Sequence, residues 1–330
     1  MIWLHRYAKL VTLFTVLLIA AGGMVTSTSS GLSVPDWPNT YGWFMFSFPY
    51  SKWVGGIFYE HSHRLIASTV GFLTIGLAAW TSLVEPRRWV RRLAWLALGA
   101  VILQGVLGGL TVLYFLPAPI SIGHAALAQI FFCLALSIAV FTSPRWACGA
   151  NPVDDATLRR LTVATAGVIY VQILLGATMR HMDAGLAIPD FPLAFGRVVP
   201  PFWSTAIAIN FAHRVGALAV TLAIAATAIR VWRHHRYRSG LVANATLLVV
   251  FLATQITLGA FVVLTGKQPI VNTAHVVNGA SVLGTALVLA LRSYRVRFAR
   301  TAAAVEPARV LRSEPGGMGI PAVQGKAVRP

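Results

Sequence analysis

Apolar residues run through this chain in eight blocks, each about 20 residues or longer, which is the length a helix needs to cross a bilayer core. They fall at about 7 to 28, 58 to 82, 91 to 114, 120 to 142, 160 to 181, 206 to 230, 241 to 264 and 271 to 292. Backbone amides have no water to bond inside lipid, so blocks of this kind are helices. The pattern therefore predicts an all-α polytopic membrane protein. A mean hydropathy of +0.71, with 57% apolar and 11% charged residues, agrees.

The net charge of +18 would by itself suggest nucleic acid, but its distribution argues otherwise. Basic residues gather at alternate connections. They are Arg6 and Lys9; Arg87, Arg88, Arg91 and Arg92; Arg145, Arg159 and Arg160; Arg230, Arg233, Arg236 and Arg238; and Arg292, Arg295, Arg297 and Arg300. The intervening connections carry chiefly Lys52, Arg197 and Lys267. By the positive-inside rule both termini are expected in the cytoplasm, and the charge reports topology, with no nucleic-acid partner.

The first block has a basic start and small residues near Ala20 to Gly23, as a cleaved signal would, but it runs on to about Val25 and is read as a span. The two cysteines, Cys133 and Cys148, lie away from the outer loops, so neither a structural disulfide nor a redox pair is expected. The tail, residues 296–330, is rich in Ala, Gly, Pro and Arg and is expected to be disordered and cytoplasmic.

An internal repeat organises the spans. Gly31-Leu32-Ser33-Val34-Pro35-Asp36-Trp37-Pro38, ending in Tyr41-Gly42, is echoed by Gly185-Leu186-Ala187-Ile188-Pro189-Asp190-Phe191-Pro192, ending in Phe195-Gly196. The offset is 154 positions throughout (Gly31 to Gly185). The chain thus reads as two tandem four-helix bundles related by internal duplication, residues 1–150 and 151–295, in the same orientation. Asp36 and Asp190, each between prolines, are expected to fix the loop turns.

The histidines follow the repeat. His63-Arg64 in the second span corresponds to His213-Arg214 in the sixth, and His124 in the fourth to His275 in the eighth. Each lies a few residues inside a span that starts on the outer side, so all four are expected near the outer face. Two imidazoles facing one another across a helical bundle are the usual way to hold haem iron from both axial sides. Nearby glycines, Gly22, Gly23, Gly105, Gly108 and Gly109 in the first unit and Gly167, Gly176, Gly216 and Gly259 in the second, leave room for a flat macrocycle, although small residues also serve ordinary helix packing. Arg64 and Arg214 are candidate propionate contacts. His61 breaks the repeat and is expected at the membrane interface, and His5, His234 and His235 in solvated basic runs.

The halves differ at one position near the histidines. Glu60, three residues before His63 and so about 4.5 Å from it along a helix axis, corresponds to Asn210. Ionisable groups at membrane depth point to function, though a carboxylate here could also cap the helix start. A carboxylate beside one bis-histidine site and a neutral amide beside the other suggest one working site and one relay site.

Taken together, residues 5 to 295 resemble the haem A synthase family. The resemblance rests on the eight spans in tandem units, the ExxHR pattern at Glu60, His63 and Arg64, and the single histidines His124, His213 and His275. It implies oxidation of the C8 methyl of haem O to a formyl group through successive hydroxylations, with haem b as cofactor. By the same resemblance His213 and His275 ligate haem b, His63 and His124 hold the haem O substrate, and Glu60 is the catalytic carboxylate. Implied partners are haem O, the protohaem farnesyltransferase that makes it and an electron-transfer partner; a homo-oligomer is also compatible. The implied location is a bacterial inner (plasma) membrane, with haem sites near the outer face. Some family members carry a cysteine pair in the first outer loop, whereas Ser29 to Tyr59 has none here. Two other readings use the same histidines: a dihaem b-type cytochrome passing electrons from quinol, and a transporter of parallel repeats binding a metal ion.

Overall fold

A computed structural model of the chain describes residues 2–147 and 154–310. Eight of its helices are long and apolar enough to span a membrane. They are α1 (Ile2–Ser27), α2 (Gly55–Val84), α3 (Arg88–Leu113), α4 (Ala118–Phe141), α6 (Ala156–His181), α7 (Thr205–His234), α8 (Ser239–Leu264) and α9 (Pro269–Val310); α5 (Pro144–Ala147) is a single turn. The chain is an all-α polytopic membrane protein. Helix ends follow local chemistry. Asp155 caps α6 by accepting from the Leu158 N–H at 2.9 Å, Ser204 caps α7 through the Ile207 N–H, and Pro86 follows the last residues of α2. Helix α9 continues through 296–310, where the sequence suggested the start of a disordered tail; residues 311–330, the rest of that tail, lie outside the described residues, as does Cys148.

Two four-helix bundles result. In the first α1 packs on α2, α2 on α3, α3 on α4 and α4 back on α1; in the second α6, α7, α8 and α9 close in the same order. The lengths match across the pair: α1 and α6 have 26 residues, α2 and α7 have 30, α3 and α8 have 26. This correspondence supports the tandem repeat. The bundles meet where α1 lies on α9 and α4 on α6. At that seam Ser27 Oγ bonds Thr273 Oγ1 at 3.2 Å and accepts from Asn272 Nδ2 at 3.3 Å. The Arg180 guanidinium of α6 reaches across to Ser27 Oγ at 2.6 Å and to the Gly23 carbonyl at 3.2 Å.

Each bundle is solid at one end only. The first core gathers Leu4, Ala8 and Val11 of α1 with Leu77 and Ala78 of α2, Ala94 and Ala97 of α3, and Ala135, Ile138 and Ala139 of α4. The second uses Leu158, Ile224, Ala228, Val231, Leu241, Ala245, Leu248 and Leu289. Both sets lie toward the face that carries the chain ends. Toward the opposite face, which carries the loops 28–54 and 182–204, the spans present histidines and glycines in place of interlocking aliphatic side chains.

Ion pairs tie down the terminal face. Arg87 bonds Glu85 through Nε at 2.6 Å and the Phe141 carbonyl through Nη2 at 2.8 Å. Burial would push the Glu85 carboxyl up, but the Arg87 hydrogen bonds and charge outweigh it and hold the group below the usual carboxylate range. Asp155 likewise accepts from Arg230 Nε at 3.0 Å and pairs with His235 Nε2 at 2.7 Å, so His235 is not the solvated residue expected. His5 also departs from expectation, its Nδ1 lying 2.8 Å from the Ala139 carbonyl.

Candidate functional site

The four histidines of the repeat sit in four copies of one arrangement, each imidazole against a glycine of the neighbouring helix. His63 of α2 rests on Gly22 of α1, where a Cβ would stand 3.0 Å from the ring. His213 of α7 rests on Gly176 of α6 at the same 3.0 Å, and His124 of α4 and His275 of α9 rest on Gly108 of α3 and Gly259 of α8 at 3.2 Å. A side chain at any of these glycines would push the ring off its place, so glycine here serves close approach. His63 and His124 lie on α2 and α4 of the first bundle, and His213 and His275 on α7 and α9 of the second, each near the loop end of its helix.

Glutamines hold three of the rings. Gln104 Nε2 lies 3.3 Å from His124 Nε2 and donates to the His124 carbonyl at 3.0 Å; Gln255 Nε2 lies 3.2 Å from His275 Nε2. Gln172 Nε2 lies 3.1 Å from His213 Nδ1 and donates to the His213 carbonyl at 2.7 Å. In the first bundle Leu18 occupies the place of Gln172 and offers His63 no such amide. Sequence reasoning missed these glutamines, although Gln104 and Gln255 share the offset of 151 that relates His124 to His275.

The Nδ1 atoms of His63, His124 and His275 are buried with no hydrogen-bond partner. An orphaned buried nitrogen is costly, and binding iron would relieve it. Haem brings four ring nitrogens of its own, so two axial imidazoles complete its iron; the residues present fit that group. A bare metal ion needs more ligands from the protein, and among the described residues no group of three or more His, Cys, Asp or Glu could supply them.

Glu60 is 3% exposed and does not cap its helix, whose N-cap is Val54. Its Oε2 accepts from the Val34 N–H at 2.8 Å and its Oε1 from Arg64 Nη2 at 2.6 Å. Arg64 goes on to the carbonyls of Val34, Asp36 and Asn39, drawing the whole turn 34–39 onto α2. The second bundle repeats the clamp with opposite polarity. Asn210 Nδ2 donates to the Ala184 and Gly185 carbonyls, while Arg214 bonds Asn210 Oδ1 and the Ile188 and Leu193 carbonyls. Where Glu60 receives protons from its loop, Asn210 gives them. The two guanidiniums read as propionate partners are thus engaged with the loops, and a propionate would share them.

The turn aspartates do what the sequence suggested. Asp36 accepts from the N–H groups of Tyr41 and Gly42, Asp190 from those of Phe195 and Gly196, all at 2.8 Å. Those Gly196 and Phe195 bonds hold the exposed Asp190 carboxyl below its ordinary value. Gly42 and Gly196 both take φ of +74°, a conformation that favours glycine. His61 departs from expectation: it is 0% exposed, bonds Thr40 Oγ1 at 3.1 Å and packs on Phe48 and Trp53. The loop folds over it, a tertiary contact that helical periodicity does not reveal. Arg180 and His181 end α6, and Arg180 reaches across the seam to Ser27 and Gly23 of α1.

Residues 5–288 match the model of the family COX15-CtaA, described as cytochrome oxidase assembly protein. Among similar proteins is the haem A synthase of Symbiobacterium thermophilum, 31% identical over 76% of this chain and 82% of its own. The haem A synthase of Halalkalibacterium halodurans is 31% identical over 82% of this chain and 92% of its own. That of Caulobacter sp. strain K31 is 27% identical over 89% and 96% respectively.

Proposed function

Since the chain belongs to the cytochrome oxidase assembly family COX15-CtaA, we propose that it is a haem A synthase, a membrane oxidoreductase that oxidises the C8 methyl of haem O to a formyl group. The observation that carries the division of labour is the contrast between Glu60 and Asn210, three residues before His63 and His213 in two units that repeat the same histidine–glycine contacts. In this reading residues 1–150 form the substrate unit, with His63 and His124 on the iron of haem O. Residues 151–295 form the cofactor unit, with His213 and His275 holding a haem b. That haem supplies one-electron redox chemistry when bound.

The chain's own residues do the rest. Gly22 and Gly108 let two imidazoles approach the ring without a side chain between helices, and Gln104 fixes the orientation of His124. Arg64 and the Val34 N–H hold Glu60 in place, each taking one carboxylate oxygen and leaving a lone pair on both. A carboxylate fixed this way stabilises positive charge developing at the oxidised methyl carbon, or accepts its proton. Asn210, which donates its amide hydrogens to the loop, can do neither. The buried seam with Arg180 and His181 brings the units together for electron transfer.

Positive residues at the terminal face support a reading in which that face lies in the cytoplasm of a bacterial cell, with the loops and haem pockets toward the outer surface of the plasma membrane. Handing over so insoluble a substrate favours contact with the farnesyltransferase that makes it. The test is mass analysis of haem extracted from cells that make haem O, with and without this chain. Haem A, or its hydroxylated precursor, is expected only with the chain, and Glu60→Gln is expected to keep the haem absorption spectrum while conversion falls by about a hundredfold or more. Untouched haem O beside a chain carrying haem b in both units would replace the synthase by a dihaem cytochrome.

A further inference from the structure

Between α2 and α3, on the lipid side of the first unit, lies a nearly wholly apolar groove of about 380 Å³. Gly71 and Ile75 line one wall, and α3 from Leu98 to Val106 the other, with Gly105 at its upper end and Trp37 of the loop above. A Cβ at Gly71 or at Gly105 would meet nothing within 4 Å, so both glycines border open space and neither serves close helix packing. The groove and the residues that hold His124 lie on neighbouring stretches of α3. Gln104, which holds His124, precedes Gly105; one turn on, Gly108 touches His124, and Gly109 lies so close beneath Trp37 that a Cβ there would stand 2.5 Å from the indole. Along α3 the groove descends from the level of Gly108 by about 4.5 to 15 Å, at 1.5 Å per residue.

The second unit distributes its bulk differently. In the repeat Gly71 corresponds to Thr221, Gly105 to Ile256 and Trp37 to Phe191, so the end nearest the histidines carries side chains there, and smaller residues, Ala225 for Ile75 and Ala253 for Ile102, come deeper. Open space beside the ring pocket is thus placed in the unit that also has Glu60. Two axial imidazoles grip an iron but leave its macrocycle free to turn about the axis between them. Something must choose which ring edge faces Glu60.

We propose that this groove receives the isoprenoid tail of the haem substrate and so sets the rotation of the ring in the first unit. The inference rests on the reading of that unit as the haem O site. A tail gains little by leaving lipid for an apolar groove, since both are equally oily. Its contribution is therefore to orientation, which for a positioned reaction counts in the rate. The volume falls within the range of about 300–1,000 Å³ in which small-molecule groups are held.

The test is photo-crosslinking with haem O carrying a diazirine at the end of its tail, on the full chain with its resident haem, followed by mass analysis of peptides. Adducts are expected on residues 71–75 of α2 and 98–106 of α3. In the double variant Gly71→Thr, Gly105→Ile, which copies the second unit, their yield is expected to fall by about tenfold or more. Persistence of the second unit's haem absorbance shows that the variant folds. Adducts elsewhere, on lipid only, or in undiminished yield in the variant overturn the groove. If haem O adds no absorption band that His63→Ala removes, the substrate reading fails, and the groove inference falls with it.

Discussion

The two units differ least where a histidine meets a glycine and most where each holds its loop. Gly22 beneath His63 and Gly176 beneath His213 are alike to a tenth of an ångström. Three residues before its histidine (His63 or His213), one unit places a carboxylate that accepts from a loop N–H and the other an amide that donates to two loop carbonyls. The histidine–glycine contact occurs in both units; in the function proposed above, a change from amide to carboxylate, or the reverse, gives one of them an added chemistry. The lesson is that function separates in the surroundings of the ligands, while the ligands stay as they were.

The comparison breaks most visibly at the histidines. His213→Ala or His275→Ala is expected to lower resident haem, read from its absorbance per protein, by about tenfold or more, with His63→Ala leaving it nearly unchanged. Equal losses would show that both units carry the same cofactor. Smaller effects are expected from the glycines. Gly176→Ala brings a methyl to 3.0 Å from His213 and should broaden or shift the resident haem band, whereas Gly22→Ala should spare that band and weaken haem O binding instead. A change in the resident band from both would erase the distinction.

The smallest effect belongs to the terminal face, where the second unit is stapled by Asp155. Burial raises its carboxyl pKa, but Arg230, His235 and the Leu158 N–H bring it well below the ordinary value of about 3.9. A depressed carboxyl stabilises the folded chain above that ordinary value and stops doing so as pH falls through the folded one. Asp155→Asn should therefore lower stability by about 1–2 kcal/mol from pH 5 to 8, the difference narrowing below about pH 4. Thermal unfolding of the purified protein across that pH range checks it; a constant difference at all pH would remove the ion pair from the account.

How much of this is legible in the sequence depends on whether the signal is periodic. The spans are, because an apolar block of membrane length has one answer, and all eight are present. Their ends shift by several residues; α1 starts at Ile2 because His5 and Arg6 tolerate a helical turn that hydropathy alone would leave out. The four histidines are legible because the repeat places each one twice. The clamp is not: that Arg64 turns to Val34, Asp36 and Asn39 depends on a loop folding back, and an arginine beside a histidine reads equally well as an anion site. His61 is hidden for the same reason, since only the covering Phe48 and Trp53 make it a core residue. Arg180 carries no periodic signal at all.

The contact of α1 with α9 has a consequence for how the chain is made. The first of the eight described spans finds its neighbour in the eighth, and Ser27 waits for Asn272 and Thr273 through the synthesis of the spans between. Arg180, emerging midway, is the earliest group to reach it. Until then the Ser27 hydroxyl lacks its partners on the other spans, an open clasp that closes fully only when the eighth span is in place.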